Sequence, residues 1–431
     1  MGVESAPLAE DPAQLDLIFR VRDGRPYRVA EVRFAGQRFT HPRWAARAAA
    51  LAAGAPLTLE ALDEARRRLF GHGLYRAVVP AVDYLDDGGA VVTFDLEERP
   101  RLRVAYGFRW ATGEGLAAVV DAVDRNAFGR GVKLGVRARW AQDDKSGRFF
   151  SSVPNVFGTK AALELFVEER ELIEEVTTTT SLDGTLQLRL PRGERGSLRF
   201  YAQYRDSLVE GEIEIPPFGT FPIEERLRRP ILGVQWLHDA RDDKLAATRG
   251  WFASADLSGA GPVIGSDFAY LRLLAQGSRF RRVGRVGDRP VVWAQSLSVG
   301  LARTFDDQPL IRQERFFAGG EYSVRGYEED GLGPLEDLGG VIRPAGGEAL
   351  LVINQELRFP LRGRFGGVVF FDAGNVWARR RDFLDDLFTA AGFGLRILTP
   401  VGVVRGDLAF PLDRRPADDR LQLYVGFGNT F

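Results

Sequence analysis

The sequence predicts a mainly β protein: a roughly sixteen-stranded antiparallel transmembrane β-barrel preceded by a small α+β domain of order β-α-α-β-β. Three observations predict it. After Arg101 apolar and polar residues alternate with the two-residue period of a strand, and the helical period of the first hundred residues disappears. No run of about 18 apolar residues occurs, which excludes transmembrane helices, yet several alternating runs reach the ten or so residues that cross a hydrocarbon core when tilted. Long connections also fall on one side and short turns on the other, as in barrels with loops outside and turns inside.

Composition removes other classes. The 431 residues carry 58 Lys and Arg against 59 Asp and Glu, so there is no basic field to recruit nucleic acid. With zero cysteines, thiolate metal sites, thiol catalysis and disulfides are excluded. His41, His72 and His238 lack metal-ligand spacing, and neither a G-x-S-x-G elbow nor a phosphate-binding loop is present. No catalytic residue, metal or cofactor is expected, and the chain reads as a non-enzyme. Glu168, Glu169, Glu171, Glu174 and Glu175 read as a solvated outer loop rather than a cation site.

From the N-terminus, Met1 to Asp11 has no basic stretch followed by an apolar one, so no secretory signal is expected in this chain. Leu15 to Val21 reads as a lone strand without a nearby partner, which favours a fragment whose residues 1–24 end a preceding module. Residues 25–100 form the small domain. Tyr27–Phe34 alternates as a strand, and His41–Ala53 is alanine-rich and helical. Thr58–Phe70 is a second helix, with Leu59, Leu62, Ala65 and Leu69 on one face, Glu60 in its first turn and Arg66, Arg67 and Arg68 in its last. Ala77–Tyr84 and Ala90–Glu97 follow as a hairpin around Asp86-Asp87-Gly88-Gly89.

Residues 101–431 supply the barrel. Val132 to Trp140 shows the pattern well, with Val132, Leu134, Val136, Ala138 and Trp140 on one face and Lys133, Arg137 and Arg139 on the other. Strands are expected at 158–169, 194–206, 231–238 and a dozen further places, ending with 420–431. The longest connections, about 207–230 and 303–347, fall on the outer side. Turns such as Asn155–Gly158, Pro360–Arg364 and Thr399–Pro400 fall on the inner side. The final strand, Leu421 to Phe431, stops on an aromatic residue.

The segment from Arg315 to Tyr327, built around Val324, Arg325, Gly326 and Tyr327, carries too many aromatic residues for a solvated loop, and its Gly319-Gly320 pair is conformationally permissive. It reads as a loop folded back into the lumen. An arginine there needs a carboxylate. Asp372, between Phe371 and Ala373 in an apolar strand, is the first candidate and Glu356 the second. Either Arg325 is a pin that fixes the loop and the barrel shape, or Arg325 is a solvated loop charge and Asp372 an ordinary lumen-facing carboxylate. Gly107 in the first barrel strand, with Gly426 and Gly428 in the last, weakens strand pairing at a seam or merely accommodates curvature.

Several of these residues carry a resemblance. The Arg315–Tyr327 segment resembles the sixth-extracellular-loop motif of the superfamily of outer-membrane barrel assembly and secretion proteins, which includes BamA, TamA and the two-partner secretion transporters. Asp239–Asp242, Ala247–Trp251, Phe370–Asn375 and the ending Gly428–Phe431 are similar to family blocks at the same positions. Phe316–Gly320, Thr399–Gly402 and Asp407–Pro411 look closest to TamA-type members. Residues 25–100 resemble a POTRA domain, the periplasmic module of such proteins. The resemblance implies the outer membrane of a Gram-negative bacterium, with the POTRA domain in the periplasm, membrane lipids around the barrel and client outer-membrane or secreted proteins. It also implies a TamB-type inner-membrane-anchored partner, the Asp372 role for Arg325, and a targeting function for the strand ending at Phe431. A secretion pore and a passive channel or surface antigen remain as alternatives to an assembly factor.

Overall fold

The computed structural model of the chain describes residues 2–8, 11–20, 25–111, 115–173, 177–215, 219–305, 309–338, 341–399, 402–416 and 418–427. Two compact units divide it, Met1–Val104 with Ala122–Leu134 and Ala105–Asp121 with Gly135–Phe431.

The first unit opens with a hairpin of β1 (Gly2–Leu8) and β2 (Asp11–Arg20), antiparallel in the register Gly2 to Arg20. The segment read as a lone strand therefore has a partner in the chain's own first residues. Gly2–Leu8 escapes a pattern reading because Gly, Ser, Ala and Pro interrupt its alternation.

Next come β3 (Arg28–Ala35), α1 (Pro42–Ala49), α2 (Leu59–Gly71), β4 (Tyr75–Tyr84) and β5 (Gly89–Glu98). The sheet order is β3-β5-β4, with β3 parallel and β4 antiparallel to β5. Pro42 starts α1 behind an N-cap from the His41 ring, and Ala50 at φ 48° ends it, shorter than the expected 41–53. In α2 the Thr58 hydroxyl accepts from the Ala61 N–H at 3.0 Å. Leu69, Ala45, Val29, Tyr75, Phe94 and Leu96 form a buried core between helices and sheet.

Sixteen strands then form one sheet. The first eight are β6 (Leu102–Ala111), β7 (Gly115–Ala127), β8 (Val132–Trp140), β9 (Asp144–Val156), β10 (Ala161–Ile173), β11 (Thr177–Arg192), β12 (Gly196–Ile215) and β13 (Gly219–Asp239). They continue as β14 (Gly250–Ala260), β15 (Tyr270–Val286) and β16 (Arg289–Thr304). A separate hairpin, β17 (Leu335–Leu338) and β18 (Val341–Pro344), interrupts the series. It resumes with β19 (Ala349–Pro360), β20 (Phe365–Trp377), β21 (Phe388–Thr399), β22 (Gly402–Pro411) and β23 (Gln422–Phe427). Sheet neighbours follow chain order from β6 to β23, with the long loop between β16 and β19. Among the described residues no ladder joins β6 to β23.

Two expectations are corrected. Residues 207–215 and 219–230 are strand and not loop: β12 and β13 run on as a ladder from Ser207 opposite Leu227 to Ile215 opposite Gly219. Cross-strand pairing, such as Arg226 to Asp206 at 2.7 Å, sustains the extension where prolines and charges suggested a break. Likewise Glu168, Glu169 and Glu171 lie within β10, and Glu168 and Glu171 are bound to Arg148 and Lys145 of β9 at 2.6 and 2.9 Å.

Register assigns the faces. Leu186, Leu232, Trp293, Leu357, Val369 and Phe371 stand exposed on one side. The opposite side carries ion pairs such as Asp183 to Arg205 and Asp144 to Arg170. An apolar outer face over a charged inner one is the pattern of a barrel surrounded by lipid. No helix among the described residues is long and apolar enough to cross a membrane.

Candidate functional site

The connection between β16 and β19 folds against the inner face of the sheet. Phe316 exchanges backbone hydrogen bonds with Gly347, at 2.8 and 2.9 Å, closing the loop at its base. Phe316, Ala318, Val324, Tyr327 and Leu332 pack with Leu350, Val352, Val376 and Ala390 of the strands. Burying these side chains is the main reason the segment leaves solvent. Gly319, Gly320 and Gly326 hold φ values of 112°, 91° and 99°, the left-handed region that side chains disfavour. A Cβ on Gly326 would also press within 3.1 Å of the Pro411 backbone.

This folding delivers Arg325, fully buried, to the centre of a charge cluster. Its Nε and one terminal nitrogen donate to the two Asp372 oxygens at 2.7 and 2.9 Å, and its backbone N–H donates to the same carboxylate at 3.2 Å. The other terminal nitrogen donates to Glu356 at 2.7 Å and lies 3.5 Å from Asp407. The guanidinium plane sits over the Phe370 ring, 3.5 Å from its centroid. Both candidate carboxylates thus bind the arginine together, Asp372 as the fork and Glu356 on the remaining edge.

A second layer completes the balance. Arg358 binds Glu356 at 2.7 Å, Arg396 chelates Asp407, and Arg405 binds Glu321 of the loop at 2.5 Å. Four guanidinium groups (Arg325, Arg358, Arg396, Arg405) face four carboxylates (Glu321, Glu356, Asp372, Asp407). The cluster therefore carries no net charge, which is the condition for keeping ions away from bulk water. Asn354, opposite Asp372 in the ladder, donates to Asp372 and to the Ser323 carbonyl at 2.9 and 2.7 Å.

The motif is also held by the last described strand. Tyr424 of β23 accepts from the Gly326 N–H at 3.1 Å and donates to the Tyr327 carbonyl at 2.9 Å. The Tyr327 hydroxyl donates to the Thr389 carbonyl at 2.9 Å.

At Gly426 a Cβ would collide with the Glu321 carboxylate, so this glycine makes room for it. At Gly107, in β6, a Cβ would meet nothing within 4 Å among the described residues. Gly428 and Phe431 lie outside the described residues, as do Glu174, Glu175 and Pro400.

Sequence reasoning missed Asp407, Asn354, Phe370 and Tyr424 as parts of this site. Asp407 left a signal, since Arg405 and Asp407 share one face of an apolar strand at a spacing of two. Tyr424 left none beyond its inward parity.

A sixteen-stranded antiparallel sheet with an apolar outer face, holding a long loop against its inner face by a neutral cluster of buried charges, has the architecture of a membrane β-barrel protein. Residues 126–431 match the Omp85 superfamily domain model. The chain belongs to the Omp85 superfamily. It is 22% identical over 493 residues to the outer membrane protein assembly factor BamA of Neisseria meningitidis serogroup B, an alignment covering 100% of this chain and 60% of that protein. The chain thus spans less than two thirds of that relative's length. Its fold resembles BamA from Haemophilus ducreyi lacking POTRA domains 1–3, with a TM-score of 0.84, 19% identity, and coverage of 99% of this chain and 89% of that one. CdiB from Acinetobacter baumannii is similar at a TM-score of 0.59 and 14% identity, covering 99% and 77%.

Proposed function

We propose that this protein helps insert or translocate other proteins at the outer membrane of a Gram-negative bacterium, without nucleotide or metal. Residues 101–431 act as the barrel, with 303–347 as its sixth extracellular loop. Residues 25–100, in the order β-α-α-β-β, serve as a periplasmic POTRA domain, and residues 1–24 belong to a preceding one. In the TamA-like form of this reading, a TamB-type partner anchored in the inner membrane is reached through that region.

The observation that carries the proposal is the clasp around Arg325. It ties the loop to β19, β20 and β22 by charge and to β23 through Tyr424. A rigid loop fixed to the terminal strand sets the shape of the barrel at the seam between β6 and β23. Opening that seam exposes two strand edges, which template an incoming client strand by β-augmentation. Gly107 lowers the pairing strength of β6.

The test is insertion of a client barrel into liposomes by wild type and by Arg325→Ala and Asp372→Ala, each first shown to be folded. Insertion by wild type that falls in both variants is the expected result. No insertion by folded wild-type protein overturns the reading and turns attention to a secretion pore or a passive channel.

A further inference from the structure

Arginine is costly on the lipid-facing side of a transmembrane strand unless it lies near the interface or meets a phosphate. Arg279 and Arg281 stand exposed on that side of β15, and no carboxylate pairs with either among the described residues. The register places Arg279 opposite Gln295 and Arg281 opposite Trp293 of β16. It continues from Gln295 to Gln355 and from Trp293 to Leu357 of β19, then to Phe371 and Val369 of β20. Two outward arginines therefore flank a band that is otherwise aromatic, aliphatic and amide.

That band contains a groove of about 550 Å³, lined on its outer face by Val283, Trp293, Gln355, Leu357, Val369 and Phe371. Trp293 Nε1 and Gln295 both donate to the Gln355 carbonyl oxygen, at 3.0 and 3.1 Å, which keeps the polar atoms paired and the groove floor apolar. Toward the short-turn rim the positive charge increases. Arg285 stands near the end of β15 and Arg289 begins β16, while Arg362 and Arg364 lie in the β19–β20 turn, and Asp288 is the one acid within 285–289 and 361–364. An Arg289 bond to the Gly363 carbonyl, at 2.5 Å, places the two turns side by side.

We infer that this surface is a binding site for an anionic phospholipid, whose acyl chain lies in the groove and whose phosphate is held by Arg279 and Arg281 at the edge of the groove. Tryptophan at the junction is the residue type favoured where apolar and polar layers meet. The inference rests on the membrane-barrel part of the proposed function and not on client handling.

Trp293 reports on the site. Folded protein in phosphatidylcholine vesicles is doped with brominated phosphatidylglycerol or brominated phosphatidylcholine at equal mole fraction, and quenching of wild type is compared with Trp293→Phe to isolate the signal. The charge of two arginines predicts an apparent affinity for the anionic lipid on the order of ten-fold higher. Arg279→Gln with Arg281→Gln should equalise the two lipids, while excess inorganic phosphate leaves the wild-type preference intact. Equal quenching in wild type overturns the inference even if the double variant fails to fold. So does a preference that survives the double substitution, or one abolished by inorganic phosphate. Because the readout is lipid contact, a protein that fails to insert clients but keeps the preference refutes the functional reading alone.

Discussion

At the scale of single residues, Arg325 shows why residue type matters more than charge. Its planar fork makes two parallel bonds to Asp372 while a third edge serves Glu356 and the face stacks on Phe370. A lysine supplies the charge but neither the fork nor the plane. Arg325→Lys is therefore expected to behave like Arg325→Ala, each leaving carboxylates buried without matched partners at a cost of about 3–5 kcal/mol. The measurement is unfolding in detergent, together with protease cleavage within 309–338. A lysine variant as stable and protected as wild type would show that charge alone holds the loop. Asp372 could be singled out from sequence because a carboxylate between apolar neighbours is conspicuous. That Glu356 and Asp407 share the same guanidinium depends on which strands adjoin, which no local pattern states.

At the scale of elements, the β13–β14 turn is tied together by aspartates, Asp239 to Arg241, Asp243 to the Leu245 and Ala246 N–H groups, and above all Asp242. The Asp242 carboxylate accepts from the Thr248 hydroxyl and from the backbone N–H groups of Thr248, Arg249 and Asp243. Burial alone would raise its pKa, but these donors outweigh burial and hold it at about 2, below the ordinary 3.8. A depressed carboxylate contributes stability that is fully present above the ordinary pKa and is lost as pH falls through the folded one. Asp242→Asn should thus loosen the turn at neutral pH, and the gap to wild type should close between about pH 4 and pH 2. Hydrogen exchange at Thr248 and Arg249 measures it; a gap unchanged at the acid end would mean that the charge is not what holds the turn. The Asp239–Asp242 and Ala247–Trp251 stretches were visible in the sequence as blocks, and the structure supplies their physical content as a hydrogen-bonded turn. The β12–β13 extension was invisible for the opposite reason: strand propensity is low there, and cross-strand ion pairs override it.

At the scale of the whole molecule, the proposed mechanism depends on separating β6 from β23. The chain has no native cysteine, so one engineered cysteine in each strand gives a clean reversible crosslink. Oxidation is expected to abolish client insertion and reduction to restore it; insertion that proceeds through a locked seam would remove the seam from the mechanism. The number of strands, their order and the inward folding of an aromatic loop were legible from the sequence, because alternation and turn chemistry are local and repeat sixteen times. So was the order of elements in residues 25–100, where helix caps and apolar spacing mark each boundary. The tertiary structure alone decided the neutral arrangement of four arginines and four acids, the hold of Tyr424 on the loop, the room that Gly426 leaves for Glu321, and the partner of β2. Each of these joins residues far apart in the chain, and their energies arise from register, burial and charge balance, which exist only once the strands have been laid side by side.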